Sequence, residues 1–445
     1  MRMRNSENAC KSPFSKLSEL VRDPFVSNVT VVASGTAAAQ VIAMAFAPLI
    51  TRIYGAEAFG LLGVFNALVA ILAPVAALTY PIAIVLPKED REARALARLS
   101  LFTAIAVSCA ATVVLLVGGE WLLALLDSEI IAPYLMLVPL SMLFSALLQI
   151  AHQWLIRKKR FDVRAKIAAI QAFVLNAAKT GIGLINPVAG VLVVLSTLGN
   201  GLHAAMLWLG IRKSRSLVNT PAREEKRQTS LKKLAIEYYD FPLYRAPQLF
   251  LNAISQSLPV LMLASFFGPA SAGFYTLCKT VLGMPSQLVG QAVADVFYPR
   301  ITEAYHRRED LTRLILRTTI ALAAVGLVPF AIVVVFGPQL FSFVFGREWI
   351  TAGEYGRWLA LWLFFGFLNR PSVAAIATLS IQGFFLLFEL ISVGARIAAL
   401  AVGFFVFNTD ISAVALFALT GVVLNIGLVL ETLRRAEIAK GTAYP

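Results

Sequence analysis

Thr51-Arg52-Ile53-Tyr54-Gly55-Ala56-Glu57-Ala58-Phe59-Gly60 is the stretch on which the reading of this chain turns. A long apolar run precedes it and ends at Ile50. A second follows, interrupted by Pro74 and Pro81, and stops at Pro87-Lys88-Glu89-Asp90-Arg91. The pattern predicts an apolar helix that rises to one face of a membrane and ends at Arg52. A tight turn from Gly55 to Gly60 then sends the chain back, and a proline-interrupted helix delivers it to a basic loop on the opposite face.

The rest of the chain follows the same plan. Of 445 residues, 58% are hydrophobic and only 14% are charged, and the mean hydropathy is +0.76. Such a composition does not fit a water-soluble surface. A bilayer core about 30 Å thick is crossed by about 20 apolar residues in a helix, and about twelve such windows follow one another from Val26 to Leu433. The predicted fold is an all-α polytopic membrane protein. Helix three is expected to reach Gly118-Gly119, helix nine to end at Phe336 and helix twelve at Leu433. No Lys or Arg marks the junction of helices ten and eleven at Ser380-Ile381-Gln382-Gly383, so eleven or thirteen helices would also fit.

Charge sets the orientation. Lys and Arg number 39 against 25 Asp and Glu, a net +14 that in a soluble protein would raise the question of nucleic acid. Here all but nine of the 39 fall in the N-terminal tail, in alternate loops or in the C-terminal tail, as the positive-inside rule requires. Both termini are therefore expected in the cytoplasm. The first 25 residues carry Arg2, Arg4, Lys11, Lys16 and Arg22 without an apolar core, which reads as a basic tail and not as a removable signal. Residues 26–211 are expected to form one six-helix bundle, 212–240 a cytoplasmic linker, 241–433 a second bundle and 434–445 a tail. Cys10, Cys109 and Cys278, like His152, His203 and His306, are scattered, with no spacing for a disulfide framework or a metal. No cofactor is expected, and no phosphate-cradling loop or large outside domain suggests an enzyme.

An internal repeat carries the reading further. Gly55-Ala56-Glu57-Ala58-Phe59-Gly60 is matched by Gly268-Pro269-Ala270-Ser271-Ala272-Gly273 at the same glycine spacing. Each precedes an apolar helix with a proline (Pro74; Pro285), a Tyr-Pro pair (Tyr80-Pro81; Tyr298-Pro299) and a charged loop. Six helices per half give both halves the same orientation, which predicts a parallel repeat enclosing a central cavity.

These residues also resemble a known family. The opening stretch with Ile84-Val85-Leu86-Pro87-Lys88, then Tyr239-Asp240-Phe241-Pro242-Leu243-Tyr244, Leu258-Pro259-Val260-Leu261, Gly273-Phe274-Tyr275 and Phe297-Tyr298-Pro299, is similar to Wzx-type polysaccharide-biosynthesis flippases. The likeness covers Val26 to about Tyr305; beyond Leu311 it is one of hydropathy and length. It implies the multidrug/oligosaccharidyl-lipid/polysaccharide (MOP) fold of two six-helix bundles in the bacterial inner membrane. It also implies alternating access, with undecaprenyl-pyrophosphate-linked oligosaccharide moved to the periplasmic leaflet for O-antigen, capsule or exopolysaccharide. A polysaccharide polymerase and a chain-length regulator are the partners such a role suggests.

A pyrophosphate crossing hydrocarbon needs a wet, cationic cavity. Nine Lys and Arg lie outside the basic loops and tails, and four of them (Arg245, Arg317, Arg347, Arg357) lie near helix ends where a long side chain snorkels cheaply. The candidates left for the substrate are Arg52, Lys179, Lys279, Arg370 and Arg396. Plainer roles are available for three of them, Arg52 as an interfacial anchor and Lys179 and Lys279 snorkelling, whereas Arg370 precedes Pro371, where a helix break could expose carbonyls to a cavity. Arg396, about 18 Å from either end of its helix, has as its plainer role a buried structural partnership with Glu389 by way of a third group. Asp295 and Glu389 are the acids placed to couple transport to an ion, although Arg300 offers Asp295 a simple salt bridge. The rivals are a cation-coupled drug exporter on the same fold, for which the cavity is too basic, a polymerase or ligase, for which the outside loops are too short, and a non-transporting subunit of a polysaccharide complex.

Overall fold

A computed structural model describes residues 24–126, 129–215, 230–379 and 381–442. Residues 1–23, Asp127, Ser128, residues 216–229, Ser380 and the last three residues lie outside the described chain. The principal helices are α1 Pro24–Ala76, α2 Asp90–Leu126, α3 Leu137–Arg157, α4 Phe161–Gly183, α5 Ala189–Arg215 and α6 Ala246–Phe267. They continue with α7 Pro269–His306, α8 Leu311–Phe345, α9 Ile350–Leu368, α10 Arg370–Thr378, α11 Gln382–Val402 and α12 Asp410–Thr442. Among the described residues there is no strand.

Eight of these helices are long and apolar enough to cross a membrane alone, and α9 with α10, bent by 44°, makes a ninth crossing. The break at Gly55 divides α1 into two crossings. Helices α4 and α7 complete twelve among the described residues. They are less apolar because they carry polar side chains through the bilayer: Gln171, Asn176 and Lys179 on α4, Lys279 and Thr280 on α7. The protein is a multi-pass membrane protein of two six-helix bundles.

The glycine repeat is a structural repeat. Gly55 (φ 71°, ψ 176°) and Gly268 (φ 87°, ψ 174°) share a backbone conformation that L side chains rarely adopt. In both halves the helix resumes at the next residue, Ala56 or Pro269, so the expected turn is a one-residue break with no loop. Helix ends also differ from expectation. Helix α2 passes through Gly118-Gly119 to Leu126, α8 continues beyond a distortion at Phe336 to Phe345, and α12 runs to Thr442. Surrounded by lipid, a backbone has no water to bond with, so isolated glycines do not end a helix there.

The two glycine motifs pack against each other. A Cβ on Gly60 would lie 1.7 Å from the Pro269 carbonyl oxygen, and one on Gly273 would lie 2.0 Å from that of Ala56. Only hydrogen at both positions lets α1 and α7 approach so closely. Trp349, fully buried, bridges the halves with its ring 5.4 Å from Phe59 and 5.8 Å from Phe274. This end of the molecule is sealed.

At the opposite face, Arg157 at the end of α3 organises the first basic loop. Its guanidinium donates to the Pro87 carbonyl at 2.5 Å and to the Asp90 carboxylate at 3.1 Å, and Lys158 also pairs with Asp90. The amphipathic turn Leu231–Glu237 buries Leu234 in the same end of the N-terminal bundle, against Ile84, Leu96 and Leu155. Thr79 donates to the Phe241 carbonyl at 2.9 Å, so the start of the second half is fastened to the first.

Candidate functional site

Helix α6 contains Pro259, which has no N–H and leaves the Ser255 carbonyl without its helical donor. Two of the predicted cations flank this flaw. Lys279, from α7, donates to the neighbouring Gln256 carbonyl at 2.7 Å. Arg396, from α11, lines a cleft of about 10 Å³ with Ser255, Pro259 and Phe417. Its guanidinium lies 5.6 Å from the centre of the Trp362 ring, and its Nε has no hydrogen-bond partner. A cation over an aromatic face is held without being neutralised. Among the described residues no ion pair within 4.0 Å joins Arg396 to Glu389.

The other predicted cations stand elsewhere along the molecule. Arg52 donates to the carbonyls of Phe343 (3.0 Å) and Val344 (3.1 Å), the last turn of α8. A charge at that helix end meets the negative pole of the dipole, and the contact ties the two halves together beside the seal. The Tyr54 hydroxyl donates to the backbone carbonyl of Lys179 at 2.8 Å, so the Lys179 backbone is fixed against α1 near the same end. Arg370 opens α10 at the break in the ninth crossing, and its guanidinium packs 2.8 Å from where a Cβ on Gly290 would stand. Gly290 is eleven residues from Lys279 on α7, roughly 16 Å along the helix. The five candidates are therefore spread along the axis; Lys279 and Arg396 share one neighbourhood. Asp295 lies in the described backbone of α7, but its side chain is outside the described set. Arg300, expected as its salt-bridge partner, pairs with Glu309.

A second polar constellation was hidden from sequence reasoning. A cavity of about 280 Å³ is lined by Thr36 and Gln40 of α1, His152 of α3, Arg164 of α4, His203 of α5 and Met284 of α7. The two histidines, 51 positions apart, meet edge to face with ring centres 5.4 Å apart. Gln40 Oε1 and His203 Nε2 are buried without a partner, and no carboxylate pairs with Arg164 among the described residues. Met284 brings the second half to the wall of a cavity otherwise built by the first. In the sequence Arg164 belongs to a basic loop, and the histidines give no periodic signal because their helices meet only in the folded bundle. The one signal available was that Gln40, His152 and His203 are polar residues inside apolar helices.

The family can be stated on this geometry. A sequence model described as "Polysaccharide biosynthesis protein" matches residues 49–354, more than half of the chain, beginning two positions before the motif that forms the seal. The chain is a member of the polysaccharide biosynthesis protein family. No curated protein matches this family member in sequence. Among solved structures, it is similar to an inward-facing multidrug resistance MATE family transporter of the MOP superfamily, with TM-score 0.70 and 15% identity over 91% of this chain and 96% of that one. The lipid II flippase MurJ in an inward closed conformation superposes with TM-score 0.65 and 13% identity over 90% and 87%. An outward-facing MATE structure gives TM-score 0.58 and 14% identity over 95% and 98%. At such identities the likeness fixes the fold of this family member, MOP-type, and no more.

Proposed function

We propose that this polysaccharide biosynthesis protein is a flippase that carries undecaprenyl-pyrophosphate-linked oligosaccharide from the cytoplasmic to the periplasmic leaflet of the bacterial inner membrane, with both termini in the cytoplasm. The observation that carries the reading is the combination of a sealed end, made by Gly60, Gly273 and Trp349, with unneutralised cations in and beside the bundle interior on the other side of that seal.

In this reading the bundles 26–211 and 241–433 are the moving bodies, joined through 212–240. Arg164, beside the unpartnered Gln40 and His203, receives the pyrophosphate from the cytoplasmic side. Guanidinium offers bidentate contact to phosphate, and ammonium a compact charge. Arg370, Lys279, Arg396 and Lys179 continue the cationic path toward the seal. Arg52 latches the closed end, and its two carbonyl contacts break when the halves rock. Glu389 and Asp295 remain the acids for ion coupling.

The test is the leaflet location of undecaprenyl-linked oligosaccharide in cells with and without the protein. Accumulation on the cytoplasmic side in its absence is the expected result. Full repeat units reaching the periplasm but staying unpolymerised would reject flipping and assign the protein to polymerisation or to assembly of a polysaccharide complex.

A further inference from the structure

A groove of about 370 Å³ opens on the N-terminal bundle, lined by Arg94, Arg98, Leu101, Ile150, Trp154 and Trp208 among others. Its residues come from α2, α3 and α5, all in the first half, whereas the cavity described above also includes Met284 from the second. Arg94 and Arg98 are one turn apart, so both guanidinium groups leave the same face of α2. They lie roughly 6 and 12 Å along the helix from Asp90. Trp154 lies three residues before Arg157 at the end of α3, and Trp208 four before Arg212, so both indoles occupy the same level of the bilayer. Tryptophan favours that boundary of headgroup and acyl chain. Both arginines are exposed, and neither has a hydrogen bond or ion pair among the described residues. The floor is apolar: Ile150 is buried, and Leu101 and Leu147 are half-buried.

An apolar trough with two unpaired guanidinium groups at one end complements a molecule with one charged end and a long hydrocarbon body. We propose that this groove is a binding site for an anionic phospholipid, whose phosphodiester is held between Arg94 and Arg98 and whose acyl chain lies along Leu101, Leu147 and Ile150 under Trp154 and Trp208. The occupant is a bulk phospholipid and not the transported lipid, because the groove is built by the first bundle alone and has no wall from the second. Each arginine near the membrane surface strengthens the hold on an anionic lipid several-fold. Two of them, at about fivefold each, give an anionic headgroup about a thirtyfold preference over a zwitterionic one.

The experiment uses full-length purified protein in detergent, with phospholipids brominated on the acyl chain as quenchers of tryptophan fluorescence. The variant Trp154→Phe/Trp208→Phe defines the part of the signal that comes from the groove. Brominated phosphatidylglycerol is expected to quench that part at about one thirtieth of the concentration needed by brominated phosphatidylcholine. Arg94→Ala/Arg98→Ala is expected to erase the difference while retaining a monodisperse gel-filtration profile. If that variant does not fold, Arg98→Glu is read in the same way and is expected to favour phosphatidylcholine. Equal quenching by the two lipids in the wild-type protein overturns the proposal without recourse to any variant. So does undecaprenyl phosphate displacing the brominated phosphatidylglycerol at lower concentration than unlabelled phosphatidylglycerol does, since the groove would then serve the polyprenyl substrate.

Discussion

Single atoms decide the seal. Because a Cβ on Gly60 or Gly273 would sit inside van der Waals contact with a facing backbone carbonyl, and backbone cannot swing aside, Gly60→Ala and Gly273→Ala should each cost about 1–3 kcal/mol. A lowered thermal midpoint of the purified protein is the expected readout. Gly118→Ala, where a Cβ meets nothing within 4 Å, is the control, expected to hold or gain slightly because alanine suits a helix better. Equal midpoints for all three would refute the close-packed contact. Arg52 presents a different case. Arg52→Ala removes two bonds to the end of α8 and should leave the amount of protein in the membrane unchanged. With a single cysteine introduced at Val344, a membrane-impermeant maleimide added from the sealed side is expected to label this variant several-fold faster than its Arg52 parent. Unchanged labelling would remove the latch.

At the level of helices, the defect in α6 holds the most information. Pro259→Ala returns an N–H to the Ser255 carbonyl and should stabilise the helix, by up to about 3 kcal/mol. Polysaccharide export is expected to fall, because Lys279 bonds the Gln256 carbonyl and Arg396 lines the cleft beside Ser255 and Pro259. Full export with a stabilised protein would show that the proline is incidental to transport. Helices also show what was legible in the sequence. Hydropathy finds the crossings and Pro371 marks the break beside Arg370, because each depends on local composition. The end expected at Phe336 coincides with the kink in α8, whose second piece runs on to Phe345, but the end expected at Gly118-Gly119 lies inside α2, because in lipid a helix stops where a partner or a headgroup ends it and not where propensity falls. The five cations were legible one by one as charges in apolar segments. Their spacing along the axis was not, nor was the meeting of His152, His203 and Arg164, since these depend on how α3, α4 and α5 pack against α1.

The whole molecule is a pair of like bundles joined tightly at one end. A cysteine placed at Gln40, in the cavity, should react with an impermeant maleimide added from the face that carries Arg157. A cysteine at Ala56, under the seal, should react from neither face. Reaction at Ala56 from the sealed side would mean that the bundle rests in the opposite state. The repeat itself was readable because two glycine motifs at matched spacing survive in the chain. That these motifs touch each other was not readable, because a repeat shows likeness and carries no statement of contact.

That mutual contact has a genetic consequence. A crowding substitution in a protein interior is commonly relieved by a second change that trims the residue opposite. Here the atoms that a Cβ on Gly60 or Gly273 would meet are all backbone, of Pro269 and Gly273 or of Ala56 and Gly60, so no trimmed side chain makes room. Revertants selected from a Gly60→Ala strain should therefore map away from the facing motif, to positions that let α1 and α7 stand further apart.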